Sequence, residues 1–314
     1  MSGVDSVLLV AFGGPTAPHE IRPFLEIVTR GRGIPAERLE EVAHHYEQIP
    51  GGRSPLAELT FAQARGLEQA LAQAGPALPV FVGMRNWHPF LHETLAVMAA
   101  KGARRTLAII LSPLRTEASW DRYMQDVAEA RVRVADAPEV GFAPPWFESS
   151  RFVAAVADRA RAALGEVPPD ARASPTPLVF TAHSVPKAMA DVSPYASDLT
   201  AATRAVVRRL GHARWSVAYQ SRSGSPRQPW LEPDIGDVLR RLGAGGERHV
   251  VVVPIGFVCD HVEVLYDLDV EARRVAEGAG LALHRAAAVI NHPEFVAMLA
   301  DLVRGAHGSA RGAR

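Results

Sequence analysis

The sequence predicts an α/β protein made of two doubly wound, Rossmann-like lobes with parallel sheets and a cleft between them. Three observations carry this prediction. Segments 7–12, 106–111, 178–182 and 250–253 are almost entirely apolar rather than alternating, as strands buried on both faces require. Each is followed by a helical pattern, the alternation that gives a parallel sheet covered on both sides. The rhythm then restarts near residue 148, with a second half of similar length. The chain therefore divides into an N-terminal lobe over 1–148, a C-terminal lobe over 149–292, and a C-terminal helix with a frayed tail over 293–314.

Taken in order, 7–12 is the first strand, and Gly13, Gly14 and Pro15 turn the chain. A helix is expected over 19–29, then a basic loop carrying Arg30 and Arg32. Pro35 suits the first turn of a helix running towards Tyr46. Ser54, in the loop 50–55, can cap the long helix 56–74. A strand over 78–84 leads through 85–89 into a helix ending near residue 101, followed by the strand 106–111 and a helix over 119–135. The second half reads as a helix over 148–164, a proline-studded loop over 168–177 and a strand over 178–182 ending at His183 and Ser184. A helix over 199–210, a strand over 215–220, the loop 221–233 and a helix over 235–242 follow. The strand 250–253 stops at Pro254 and Gly256, an acidic helix runs to 278, and a short strand over 281–284 and a helix over 293–304 finish the chain. Ligands of such sheets sit beyond the carboxyl ends of the strands, so the loops after the strands are the candidate sites.

Lys plus Arg and Asp plus Glu both total 34, so the formal charge is zero and nothing in the balance points to nucleic acid or an anionic membrane. The single cysteine, Cys259, excludes an intramolecular disulfide and an all-cysteine iron–sulfur site, and fits a reducing, cytoplasmic setting. The N-terminal segment lacks the basic region of a signal peptide, and no segment approaches the ~20 apolar residues of a membrane span. No phosphate-binding glycine motif follows the first strand, so a nucleotide cofactor is unsupported. No nucleophile elbow of the serine hydrolases is present.

The stretch after the strand 250–253 changes composition abruptly. Asp260, His261, Glu263, Asp267, Asp269 and Glu271 fall close together. Glu263, Asp267 and Glu271 are spaced i, i+4, i+8 and share one face of a helix, where like charges repel. Such a row suggests a cation. A solvated acidic face near a helix N-terminus, where the dipole favours acids, is the other reading that spacing leaves open. His183 follows one strand and Glu263 another on the same rim of the same sheet. An imidazole and a carboxylate placed so can bind a borderline divalent metal or move protons. His183 can also be read as a helix-entry residue with Ser184 as the cap.

Six separated motifs resemble the ferrochelatases. They are 7–15 (VLLVAFGGP), 46–56 (YEQIPGGRSPL), 83–87 (GMRNW), 181–186 (TAHSVP), 219–222 (YQSR) with Trp230 and Leu231, and 254–269. They occur in the family's order and cover nearly the whole chain. The resemblance implies a two-lobed chelatase fold that inserts Fe²⁺ into a porphyrin. It implies no nucleotide, no iron–sulfur cluster and no cofactor beyond the Fe²⁺ substrate. By the same resemblance His183 and Glu263 are the catalytic pair, and His183, Glu263, Asp267 and Glu271 the metal ligands, with iron stepping along the acids towards His183. Phe12, Met84, Trp87 and Trp230 become wall residues for the ring. Arg30, Arg32, Tyr46, Arg53, Ser54, Ser119 and Tyr123 become partners for its carboxylates, to which arginine forks are matched.

The chain departs from the family pattern at Phe12, where some members have tyrosine, and at 114–118, which is charged where others are apolar or aromatic. The loop 29–33 and the Arg85, Asn86, Trp87 triplet look like the actinobacterial-type branch, whose members act on coproporphyrin III, a substrate richer in propionates than protoporphyrin IX. Coproporphyrin III, giving coproheme, is the expected substrate, with protoporphyrin IX the alternative. A non-catalytic haem or metal carrier and a cobalt chelatase for sirohydrochlorin are the other readings. A cytoplasmic monomer is expected, with porphyrin and Fe²⁺ as partners, no nucleic acid and no stable membrane insertion.

Overall fold

The structure, a computed structural model, describes residues 3–31, 33–223 and 227–308. Arg32, expected at the cleft mouth, and the expected frayed tail over 309–314 lie outside the described residues. In the first lobe β1 (Ser6–Ala11), β2 (Val80–Met84), β3 (Arg105–Ile110) and β4 (Glu139–Phe142) form a parallel sheet in the order β2-β1-β3-β4. Its helices are α1 (Ile21–Thr29), α2 (Ala36–Glu47), α3 (Leu56–Ala74), α4 (Leu91–Ala100) and α5 (Arg122–Val132). In the second lobe β5 (Leu178–His183), β6 (Trp215–Gln220), β7 (His249–Val253) and β8 (Ala282–Arg285) repeat that order as β6-β5-β7-β8. Its helices are α6 (Ser150–Glu166), α7 (Lys187–Asp191), α8 (Tyr195–Leu210), α9 (Ile235–Ala244), α10 (Val262–Leu265), α11 (Arg273–Gly278) and α12 (Pro293–Gly308).

Each lobe reverses its winding direction between its first and third strands, and a crevice opens at the carboxyl ends there. In the second lobe those strands are β5 and β7. Every residue of β5 is buried except His183, its last. The loop after β7 lies hard against this end: Gly256 N–H donates to the Thr181 carbonyl at 3.0 Å, and a Cβ at Gly256 would come within 2.6 Å of the Ala182 Cβ. Glycine is therefore required for β7's exit to run beside His183.

One hydrophobic core continues through both lobes, joining Val7 and Leu9 of β1 to Leu178 and Phe180 of β5. Helix α12 returns to pack on α3 and α6, and Phe295 meets Trp146 and Phe152 edge-on or tilted at 5.8 and 6.3 Å. A second cluster packs α1 and α2 of the first lobe, through Ile21, Phe24 and Tyr46, against Tyr266, Val262 and Leu265 of the second. The His45 ring stacks on Tyr266 at 3.7 Å. Among the described residues no helix is long and apolar enough to cross a membrane.

Several elements differ from the sequence reading. Strand β4 was not expected; it is an edge strand, largely half-exposed, and lacks the apolar run of the central strands. The short helix α7 was also not expected. The helix expected from residue 119 opens instead with a π-helical turn, Glu117–Asp121. The long helix 56–74 has Pro55 at its cap position, with Ser54 Oγ accepting from Leu56 N–H at 3.3 Å.

The charged loop 114–118 also finds its physical reason here. Arg115 donates from Nε and Nη2 to the two carboxylate oxygens of Asp198 on α8 at 2.7 and 2.8 Å, and its guanidinium lies 5.3 Å from the Phe147 ring centroid. Asp198 is 4% exposed, so this fork, which joins the lobes, is its counter-charge. Replacing Arg115 by Met strands a buried carboxylate and is expected to cost about 3 kcal/mol in urea unfolding, whereas Arg115→Met with Asp198→Leu regains most of it. Equal losses in single and double variants would contradict this account.

Candidate active site

His183 ends β5, and its main-chain carbonyl accepts from Tyr195 OH at 2.9 Å. Glu263 stands in the first turn of α10, which begins as soon as the loop after β7 has turned back. The two meet with His183 Nε2 3.5 Å from Glu263 Oε1, their side chains 28% and 34% exposed. Nδ1 of His183 lies against the Ser184 carbonyl, so both ring nitrogens face acceptors. The other carboxylate oxygen of Glu263 meets His261 Nε2 at 3.1 Å. Glu263 therefore sits between two imidazoles, one on each oxygen. His261 was not singled out as a site residue from the sequence, although its position two residues before Glu263 was the available signal.

The acidic row is not one continuous α-helix. A π-helical turn, Asp267–Ala272, separates α10 from α11, with Val270 and Glu271 N–H groups both reaching the Tyr266 carbonyl, at 3.0 and 2.9 Å. An α-helix carries every fourth residue past a full turn. A wider turn undoes that drift, which keeps Glu263, Asp267 and Glu271 in line. Ser221 Oγ donates to Asp267 Oδ2, and the Gln220 amide donates to the Glu263 carbonyl. The remaining acids are otherwise engaged: Asp269 and Asp260 accept from Arg285 of β8 at 2.7 and 3.2 Å. Among the described residues no group of three or more His, Cys, Asp or Glu side chains is arranged to hold a metal ion. His183 and Glu263 thus face each other as an imidazole and a carboxylate without a third such side chain arranged around them.

The first lobe faces this pair. The charge of Glu263 is felt at Tyr46 and Tyr123, both in the first lobe, where burial and that charge together push each phenol's pKa up; at Tyr123 the Arg85 guanidinium opposes the shift. The Arg85 guanidinium lies 4.3 Å from the Tyr123 ring centroid and 6.0 Å from that of Phe12, and donates to Asp126. Phe12 is half-buried and edge-on to Phe24 at 6.4 Å. Several residues expected on the wall lie behind it. Met84 is 0% exposed within the main core, so packing, not ring contact, is what it does. Trp87 is buried too, its Nε1 donating to Glu20 at 2.9 Å, and so are Tyr46, Ser54 and Tyr123, which were expected as carboxylate partners. Ser119 is half-buried and spends its hydroxyl on the turn, donating to the Leu114 carbonyl at 2.6 Å. Arg30 is exposed, and among the described residues makes no ion pair; Arg53 reaches Glu58 at 3.2 Å. Trp230 is half-buried beside Pro186, with its indole N–H buried and unpaired. A separate groove of about 820 Å³, lined by Glu277, Gly280 and His284 among others, runs along β8 on the far side of β7 from His183.

The electrostatics follow from this packing. Burial disfavours a charged imidazole at His183, yet the Glu263 carboxylate, the Ser184 carbonyl and Asp267 outweigh it, and His183 is pushed up to about 9. Burial would raise Glu263, but the two imidazoles hold it well below the usual carboxylate range. Burial, then repulsion from Glu263 and Glu271, pushes Asp267 up to about 7 against the pull of the Ser221 hydroxyl. Burial and the nearby Asp234 and Glu41 raise Glu271 as well. Burial thus works against the charge of Asp267 and Glu271, with Ser221 opposing the shift at Asp267 and Arg274 and Arg38 opposing it at Glu271.

The Ferrochelatase family profile matches residues 4–307. The coproporphyrin III ferrochelatase of Mycobacterium avium is 43% identical over 306 residues, covering 95% of this chain and 87% of that protein. Those of Mycobacteroides abscessus and Mycobacterium marinum are 44% and 41% identical, over 95% and 99% of this chain and 87% and 89% of theirs. Among solved structures, SirB from Bacillus subtilis with Fe³⁺ superposes with a TM-score of 0.60 at 12% identity, covering 99% of this chain and 98% of that one. The sirohydrochlorin chelatase SirB with cobalt gives 0.55 at 12% identity, covering 98% and 97%. At such identities the likeness is one of fold.

The coupling of His183 to Glu263 has a testable sign. A raised imidazole stabilises the fold fully below its ordinary value of 6.5, and that contribution is lost as pH rises through about 9. The His183 ring proton signals in an NMR titration are expected to move with a midpoint near 9 in the metal-free protein. In Glu263→Gln the midpoint falls, because burial then acts without its counter-charge. A midpoint unmoved by that substitution would contradict the pairing.

Proposed function

The chain belongs to the ferrochelatase family, and from that premise we propose that it inserts Fe²⁺ into coproporphyrin III, giving coproheme. It is an enzyme of porphyrin metallation. The observation that carries the proposal is the facing pair of His183 and Glu263 at 3.5 Å, in a chain whose relatives at 41–44% identity are coproporphyrin III ferrochelatases.

A free-base porphyrin must give up two pyrrole protons, and its nitrogen lone pairs open to the metal only when the ring is bent. On this reading His183 ligates the incoming ion and takes protons on one face of the ring. The His183–Glu263 pair carries one proton before iron arrives and releases it to solvent as iron binds; when iron passes to the ring nitrogens, the freed imidazole takes one pyrrole proton and the Glu263 carboxylate the other. Asp267 and Glu271 lead iron towards them. Burial disfavours the charge of both, and Glu263 and Glu271 add to this at Asp267, so each holds a cation only until the next offers a better site.

Phe12 and Trp230 supply apolar surface for the ring, with Tyr46, Trp87 and Tyr123 behind. Arg30 and Arg53 take propionates at the mouth, which favours the more acidic porphyrin. The protein works on this reading as a monomer in the cytoplasm, with porphyrin and Fe²⁺ as its small-molecule partners. No nucleotide takes part, and the one cysteine, Cys259, is buried and can hold no iron–sulfur cluster by itself.

Anaerobic addition of Fe²⁺ is expected to quench coproporphyrin III fluorescence faster than that of protoporphyrin IX; the reverse order would overturn the substrate assignment. His183→Ala and Glu263→Gln should each lose about a hundredfold or more in rate. Glu271→Gln should stay within about tenfold of wild type, as befits an outer ligand in a row. A Glu271 variant as inactive as Glu263→Gln would overturn the order of the row, and wild-type rates in His183→Ala would rule out its role.

A further inference from the structure

The end of β6 carries two side chains that bond to the acidic row and that the reaction does not consume. Gln220 is 1% exposed and lies directly opposite His183 in the parallel register. Its main-chain carbonyl accepts from Ser184 N–H at 2.7 Å, and its side-chain amide donates to the Glu263 carbonyl. One residue thus ties the strand that ends in His183 to the helix that carries Glu263. The next residue, Ser221, has a φ of 64°, a conformation that costs a residue with a Cβ and that glycine would adopt freely. The strained turn brings its hydroxyl onto Asp267 Oδ2. Strain kept at a non-glycine residue points to a use for the side chain.

We propose that Ser221 is the positioning residue for Asp267 in iron delivery, with Gln220 fixing the main chain of Glu263 one step further in. The proposal rests on the Fe²⁺-inserting reading above. A carboxylate free to rotate can close on a metal with both oxygens. With Oδ2 turned to the Ser221 hydroxyl, Asp267 is held in one orientation and presents its other oxygen to the ion. Single-oxygen ligation is weak, and a fixed orientation spares the ordering cost at each passage of iron. The serine thereby keeps Asp267 a station on the way to His183 rather than a trap.

Steady-state insertion of Fe²⁺, under anaerobic conditions, tests this with three variants at one position. Ser221→Ala removes the hydroxyl and keeps the Cβ. Ser221→Gly removes the hydroxyl and frees the backbone. Ser221→Asn supplies a donor in a residue tolerant of positive φ. The alanine and glycine variants are expected to lower kcat by about tenfold and the KM for Fe²⁺ with it, because iron is then held longer at Asp267, while the KM for porphyrin stays within about twofold. The asparagine variant is expected to regain most of the loss. Ser221→Ala combined with Asp267→Asn should be no worse than Asp267→Asn alone, because the serine acts through that carboxylate. Wild-type constants in Ser221→Ala, equal losses in iron and porphyrin parameters, or additive effects with Asp267→Asn would each overturn the proposal. The glycine variant, unstrained at this position, keeps the test readable if the alanine variant folds poorly. A wild-type protein that metallates no porphyrin would overturn the underlying reading instead.

Discussion

The structure depends on one electrostatic arrangement: a half-buried imidazole and carboxylate held face to face beside further acids whose charge burial disfavours. Isolated buried charges are costly, and proteins ordinarily neutralise them with a partner. Elsewhere in this chain they are neutralised so: Asp198 has Arg115, and Asp260 and Asp269 have Arg285. The row of Glu263, Asp267 and Glu271 departs from that habit. Glu263 and Glu271 raise Asp267, His183 and His261 flank Glu263, and Arg274 and Arg38 act on Glu271 without forming a close pair with it among the described residues. On the proposed reading, a site whose charge burial disfavours suits a metal in transit.

The topology explains why the site stands where it does. Strands β5 and β7 are neighbours whose connections leave in opposite directions, so their carboxyl ends border an uncovered crevice. His183 finishes one, and the loop held in place by Gly256 carries the other to Glu263. Helices α1 and α2 of the first lobe close over α10 through Tyr46, Phe24 and the stacked His45–Tyr266 rings. The site is therefore assembled from both lobes, and α12 and the Arg115–Asp198 fork keep the lobes in register.

Much of this was legible in the sequence, for reasons particular to each element. The central strands β1, β3, β5 and β7 are buried on both faces and read as unbroken apolar runs. Edge strand β4 is half-exposed, and its short Glu-Val-Gly-Phe segment carries no such signal. His183 and Glu263 were found because each follows a strongly apolar strand. The π turn within the acidic helix was not, since spacing at i, i+4 and i+8 looks the same whether or not one turn widens. Nor could the sequence show contacts across long separations. The bond from Gln220 to Glu263 spans 43 residues, and that from Arg115 to Asp198 spans 83, which is why the loop 114–118 read as an oddity. Met84 read as wall because the ring needs apolar surface, yet at the end of β2 it is buried in the core.

The central claim is that iron meets this protein first at oxygen ligands and then at the His183 imidazole, before any porphyrin is present. X-ray absorption at the iron edge, on Fe²⁺ bound to the porphyrin-free protein, reads the ligand types directly. The account predicts oxygen ligation with imidazole scattering in the wild type, and loss of the imidazole component in His183→Ala while oxygen ligation persists. Identical spectra from the two proteins would contradict it.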